Sequence, residues 1–213
     1  RSQATNKMDP VEHETAITTG RIILQLSGGV VVREYRHSDV PSIARHANSK
    51  NVWNNLRNRM PHPYTEADAE SWINQTMDSS NHVRSGKWSV EKGSEGPAVP
   101  NNYTIAVNDE AVGGIGLEFK DDVYVRTAEI GYWLGEEHWG KGVMSRVVPA
   151  FTEWAWQTFE ILVRINAETF ERNAASQKLL EKAGFKYEGK RPNMVFKNGI
   201  IESELIWGAL RPS

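Results

Sequence analysis

Gly140-Lys141-Gly142 is the stretch of this sequence best suited to hold an anion. Before it come a short apolar and aromatic run, Ala128 to Leu134, and a polar turn, Gly135-Glu136-Glu137-His138. After it, Val143, Val147, Phe151 and Trp154 recur with helical spacing. The order is therefore strand, glycine turn, helix start. The first turn of a helix carries unpaired N–H groups and the positive end of the dipole. Glycines without side chains let phosphate oxygens approach those groups closely. Lys141 adds charge to such a site or points to solvent. Other chemistries have less support. The chain has no cysteine, which excludes disulfides, thiolate metal ligands and a cysteine acyl-enzyme. Its six histidines include no pair at His-x-x-x-His spacing on a credible helix, so no metal site is expected.

Two nucleotide-type readings fit the glycine loop. Gly135-x-x-x-x-Gly140-Lys141 nearly matches the phosphate-binding loop of nucleotide hydrolases. That loop needs Ser or Thr next, to hold magnesium, and the residue here is Gly142. No apolar strand ending in a second magnesium-binding Asp accompanies it. The other reading is acetyl-coenzyme A. Tyr132-Trp133-Leu134 followed by Trp139-Gly140-Lys141-Gly142 and a helix resembles motif A of the GNAT N-acetyltransferases, closest to their RimJ/RimL-type branch. Asn173-x-x-Ser176, then Leu179-Leu180-Glu181-Lys182-Ala183-Gly184-Phe185, resembles motif B. The resemblance runs from about Arg21 to about Trp207. One departure is Glu137, where the family usually has Arg or Gln. It removes a side-chain phosphate contact but leaves the backbone contacts.

The elements that must position these residues can be read in order. Residues 1–18 are polar and unpatterned and read as a flexible tail, with residues 19–213 as a single domain. Ile22 to Leu26 and Val30 to Glu34 flank Ser27-Gly28-Gly29 as a hairpin. Ser38-Asp39 and Pro41 open a helix to about Asn48, and Asn51 to Arg59 holds a second short one. Thr65, with Asp68, caps a third, whose inner face is Ala69, Trp72, Ile73 and Thr76. Gly86 to Pro100 reads as an irregular flexible loop. Tyr103 to Val107 and Ala111 to Phe119 pair about a turn, and the next strand runs from near Tyr124 to Leu134. Glycines 113, 114 and 116 lie inside a strand, which marks a bulge or a close backbone approach rather than a dinucleotide site. A helix from about Gly142 to Phe159 contains Pro149, which should kink it. Strand Arg164–Thr169, helix Ala174–Ala183 ended by Gly184, strand Phe185–Lys190 and a hairpin at Lys197-Asn198-Gly199 to Trp207 complete the chain. The resemblance implies an α+β GNAT fold: a mixed, mostly antiparallel twisted sheet of about seven strands, helices on both faces, and two central strands splayed apart.

The resemblance also implies the chemistry. The pantetheine arm would lie between the strand ending at Leu134 and the strand Arg164–Thr169, with amides near Trp133 and Leu134 polarising the thioester. The diphosphate would sit on Trp139, Gly140, Lys141, Gly142, Val143 and Met144, and Asn173 and Ser176 would contact the cofactor. Glu129, which strand alternation places on one face with Gly131 and Trp133, is the favoured base. Glu118 and His62 are the alternatives. Many family members carry an acidic Tyr seven residues after the motif B Asn; that position is Leu180 here, and Ser176 is the nearest substitute. Arg57, His62 and Tyr64 are acceptor-side candidates.

The implied activity is acetyl transfer from acetyl-coenzyme A, as co-substrate and without a metal, to a primary amine of a protein N-terminus or a small molecule. A non-catalytic acyl-coenzyme A binding or sensing module is the alternative. Charged residues make up 24 % of the 213 residues and the formal net charge is −2, which gives no electrostatic reason to expect nucleic acid or acidic membranes. No apolar run approaches the roughly 20 residues that span a bilayer, and RSQATNKMDP lacks the apolar core of a secretion signal. The expectation is a cytoplasmic monomer or homodimer.

Overall fold

The computed structural model describes residues 20–213, so the tail expected over residues 1–18 lies outside the described residues. The strands are β1 (Ile22–Gln25), β2 (Val30–Arg33), β3 (Val83–Arg84), β4 (Trp88–Ser89), β5 (Gly93–Ser94), β6 (Ala98–Val99), β7 (Asn102–Val107), β8 (Glu110–Phe119), β9 (Thr127–Leu134), β10 (Arg164–Phe170), β11 (Lys186–Lys197) and β12 (Ile200–Leu210). The helices are α1 (Val40–Ala47), α2 (Lys50–Asn54), α3 (Glu66–Met77), α4 (Val143–Thr158) and α5 (Ala174–Lys182).

Eight strands form the main sheet in the order β1-β2-β7-β8-β9-β10-β12-β11, one more than the sequence suggested. Only β9 and β10 run parallel; their neighbours pair antiparallel. Helices cover both faces. On one side α1 and α3 bury Ile43, Ala47, Ala69 and Ile73 against Tyr35 and Ala111, with Trp133 at the edge. On the other, α4 and α5 bury Val147, Phe151, Ala155 and Leu180 against Ile105, Leu117 and Ile165. Gly114 shows why β8 carries glycines. A Cβ there would come within 2.8 Å of both the Trp133 indole nitrogen and the Tyr35 hydroxyl.

The first helical turn is fixed by a buried ion pair. Arg33, fully buried, donates from Nη1 and Nη2 to the two Asp39 oxygens at 2.8 Å each. Asp39 thus serves this pair and the Arg36 amide rather than capping α1 with its side chain. The capping box expected at α3 is present: the Thr65 hydroxyl accepts from the Asp68 amide, and the Asp68 carboxylate from the Thr65 amide.

Some expectations change. Gly86 to Pro100 is not irregular throughout: β3 pairs β6 and β4 pairs β5, and Gly86 bridges to Phe159. Two-residue strands have no period to detect. The strand expected from Tyr124 starts at Thr127, because Asp122, with φ of +51°, turns the chain through Asp122–Tyr124 first. The short helix expected within Asn51 to Arg59 is α2, which starts one residue earlier at Lys50. β11 runs on to Lys197 through Pro192. It is an edge strand, where a missing N–H costs no ladder bond. α4 continues through Pro149, whose missing N–H leaves the Ser145 carbonyl without its helical donor.

Candidate active site

β9 and β10 pair at only three positions: Thr127 with Arg164, Ala128 with Ile165, and Glu129 with Asn166. Beyond Glu129 they part, while β9 stays paired to β8 up to Leu134. The Gly135 amide donates to Val112 on the β8 side, and the Lys120 amide donates to the Thr127 carbonyl. Alternation then turns the odd-numbered backbone groups of β9 toward β8 and those of Ile130, Tyr132 and Leu134 toward the gap. Of the two amides expected to face a thioester, Leu134 faces the gap and Trp133 does not. Tyr132 takes its place, because Trp133 lies one residue out of phase.

At the far end of β9 the chain turns through Gly135 and Glu136–His138. Trp139 closes the turn by donating its indole N–H to the Leu134 carbonyl at 2.8 Å. Gly140 and Gly142 follow with φ of +71° and +69°, a conformation L side chains rarely adopt. A Cβ on either would meet nothing within 4 Å, so the turn requires glycine while the space above it stays open. α4 begins at Val143 with no side-chain cap and no acidic residue in its first turn. Its first amides, at Val143 and Met144, thus have the character of an anion site. Lys141 is exposed. Glu137, at the position of the usual basic residue, is drawn aside by Arg45 at 2.9 Å.

Ser176 and Asn173 meet the site from α5. Asn173 caps the helix, its Oδ1 accepting from the Ser176 amide at 3.2 Å. The Ser176 hydroxyl is 2.7 Å from the Tyr132 hydroxyl, so a side-chain bridge spans from β9 to α5. Burial pushes the Tyr132 phenol up to about 12, which the Ser176 hydrogen bond opposes. Leu180, where many relatives have Tyr, is fully buried in the core. Tyr132 was missed as a side chain. The signal was its phase: it alternates with Glu129 and so faces the α4–α5 side.

The opposite face is lined with carboxylates. Glu129 is enclosed among cations: Arg57 donates to one oxygen at 2.5 Å and Lys120 to the other at 3.2 Å. Glu118, its cross-strand partner, is held below the usual carboxylate range by Arg59, with Lys120 assisting. Glu168 on β10 accepts from Arg57 at 2.6 Å and from Arg191 at 2.9 Å. Glu204 beside it is raised by burial and then by the Glu168 charge. Glu168 was also missed; it lies two residues past Asn166, the register partner of Glu129, and so shares its face.

The acceptor-side candidates separate. Arg57 reaches the mouth of the gap. His62 stacks on Trp53 with ring centroids 5.1 Å apart. Tyr64 packs in the smaller core at 8 % exposure, and burial pushes its phenol up to about 12. Among the described residues, His46, Glu137 and His138 bring ligand-type atoms within 4.8 Å of one another, a grouping that spacing along the chain concealed. Arg45 lies among them, paired with Glu137 and Glu110 and 3.0 Å from the His46 ring, and already supplies the cation.

A model of the GNAT acetyltransferase domain matches residues 30–186. Over 107 residues the chain is 36 % identical to a probable N-acetyltransferase of Bacillus subtilis, YjcK, covering 50 % of this chain and 59 % of that protein. This chain thus spans little more than half the length of that curated relative. In fold it is similar to the ribosomal-protein-S5-alanine acetyltransferase of Vibrio fischeri, at a TM-score of 0.70 and 20 % identity over 88 % of this chain and 96 % of that one. It is also similar to RimJ of Mycobacterium smegmatis in complex with CoA-disulfide, at a TM-score of 0.68 and 19 % identity over 85 % and 81 % of the two chains. Among the described residues no helix is long and apolar enough to cross a membrane.

Proposed function

The chain belongs to the GNAT acetyltransferase family, and from that premise we propose that it moves an acetyl group from acetyl-coenzyme A directly to a primary amine. We read residues 19–213 as one such domain. The observation that carries the reading is the parting of β9 from β10 beyond Glu129 and Asn166. The Ile130 carbonyl, the Tyr132 backbone and the Leu134 N–H then face a gap rather than a strand, and buried peptide groups need partners. A pantetheine arm has amides to supply them. Gly140, Gly142 and the uncapped start of α4 stand where its diphosphate would lie, with Trp139, Lys141, Val143 and Met144 around it.

The chain's residues then divide the work. The amide of Tyr132 or Leu134 stabilises the thioester oxygen as it gains charge. Glu129 takes the proton of the attacking amine, directly or through water. The nitrogen bonds to the carbonyl carbon and the carbon–sulfur bond breaks; the leaving thiolate takes a proton from the Ser176–Tyr132 hydroxyl pair, which regains one through water as the new amide nitrogen sheds its second proton. Asn173 sets the start of α5 and so the place of Ser176. The Vibrio relative's name, which gives an alanine of a ribosomal protein as its target, favours a protein acceptor over a small amine.

Two measurements test this. Calorimetry with coenzyme A should show one site that weakens when Gly142 is replaced. Thiol release from acetyl-coenzyme A should require an added amine or peptide N-terminus. A chain that ignores coenzyme A is not an acetyltransferase of this design.

A further inference from the structure

Arg57 makes an unusual use of its guanidinium. A planar fork is best matched by two parallel bonds to one carboxylate. Here a single nitrogen, Nη2, serves two carboxylates from two different strands: Glu129 Oε1 at 2.5 Å and Glu168 Oε2 at 2.6 Å. The strands are the two that part, and the pair lies at the point of parting. Both carboxylates are well enclosed, at 13 % and 20 % side-chain exposure, and their other oxygens are committed to Lys120 and Arg191. Two inward-facing oxygens therefore converge on one nitrogen position. A primary ammonium, a point charge with three donors, satisfies that position better than a fork does.

Arg57 itself is replaceable there. It comes from the stretch between α2 and α3, outside any helix or strand, and its side chain is 41 % exposed. We propose that Glu129 and Glu168 together form a receptor for the primary ammonium group of the acceptor, and that Arg57 is its internal occupant, displaced when the acceptor arrives. This rests on the acetyltransferase reading and narrows it. The acceptor docks as a charged, unhindered primary amine, between two carboxylates, before it gives up its proton. Alcohols and fully substituted ammonium groups are excluded, the first for want of charge and the second for want of N–H donors.

The test is a titration of the whole chain with butylammonium chloride, read by amide chemical shifts, for the wild type, R57A and R57A/E168Q. Tetramethylammonium chloride and butan-1-ol are the controls. R57A should bind butylammonium at least tenfold more tightly than the wild type, E168Q should abolish that gain, and neither control should show it. Equal affinity in wild type and R57A overturns the proposal, and so does an equal gain for tetramethylammonium. R57Q provides a second variant, and circular dichroism confirms that each is folded. The two readings fail separately. This binding pattern without turnover on any amine refutes acetyl transfer and leaves the receptor. Turnover with amine affinity unchanged in R57A refutes the receptor alone.

Discussion

Replacing Tyr132 by Phe and Ser176 by Ala, singly and together, isolates a hydrogen bond between β9 and α5. Its O···O distance of 2.7 Å is near the optimum for two hydroxyls. A neutral hydrogen bond of this kind contributes a net ~1 kcal/mol, but a buried hydroxyl left without a partner costs about 1–3 kcal/mol. The two ends are unequal. The Tyr132 hydroxyl is withdrawn from water, which is why its pKa rises to about 12. Ser176 sits in the first turn of α5, partly exposed, and can turn to solvent. S176A, which orphans the phenol, should therefore cost about 2 kcal/mol, and Y132F about 1 kcal/mol. The double variant should cost no more than S176A alone, giving a coupling energy of about 1 kcal/mol. Urea denaturation at constant slope reads these differences, and each kcal/mol corresponds to about 2–4 °C in Tm for a chain of this size. Additive costs, with coupling below about 0.3 kcal/mol, would mean that the two hydroxyls are not bonded in solution. The proton-donor role given to the pair would then lose its basis.

Other outcomes are expected. D39A leaves Arg33 buried without its partner and should cost about 3–5 kcal/mol by thermal unfolding, whereas R33M/D39L should recover much of the loss. G142A meets no neighbouring atom, so its cost of about 1–2 kcal/mol should come from the left-handed backbone alone, and G142N should cost less. E129Q should lower kcat on a responsive amine by about 100-fold or more if the carboxylate takes the proton; a change in KM alone would remove it from that role. His138 is held below the ordinary histidine range by burial, then by His46 and Lys141. The unfolded chain thus binds the proton more readily, and stability should fall as pH drops below about 6.5. H138Q should lose that component of the slope in a pH series of denaturation curves.

Features carried by neighbours in the chain were readable in advance. Thr65 with Asp68 announced α3, Gly184 ended α5, and the order of strand, glycines and helix placed Gly140 and Gly142 where they are found. What depended on residues far apart was not. Arg57 and Glu129 are separated by 72 positions and Tyr132 and Ser176 by 44, and no periodicity links them. The cations that clamp Glu129 arrive from other elements, so its strand alone did not reveal them. The two-residue ribbons between Val83 and Val99 are held by docking to Phe159 and by Arg126 stacking on Trp88 at 4.3 Å. Local propensity has no part in either contact.

The three residue pairs that join β9 to β10 divide the sheet into two plates, β1-β2-β7-β8-β9 and β10-β12-β11. A molecule lodged in the seam becomes mortar between them, because its own amides continue the ladder from one plate to the other. At a concentration 100 times its Kd it would raise the unfolding free energy by about 2.7 kcal/mol. That cohesion would be felt well away from the bound molecule. Amide exchange should slow in β12 as well as in β8, so the strands one removed from the seam report whether it is filled.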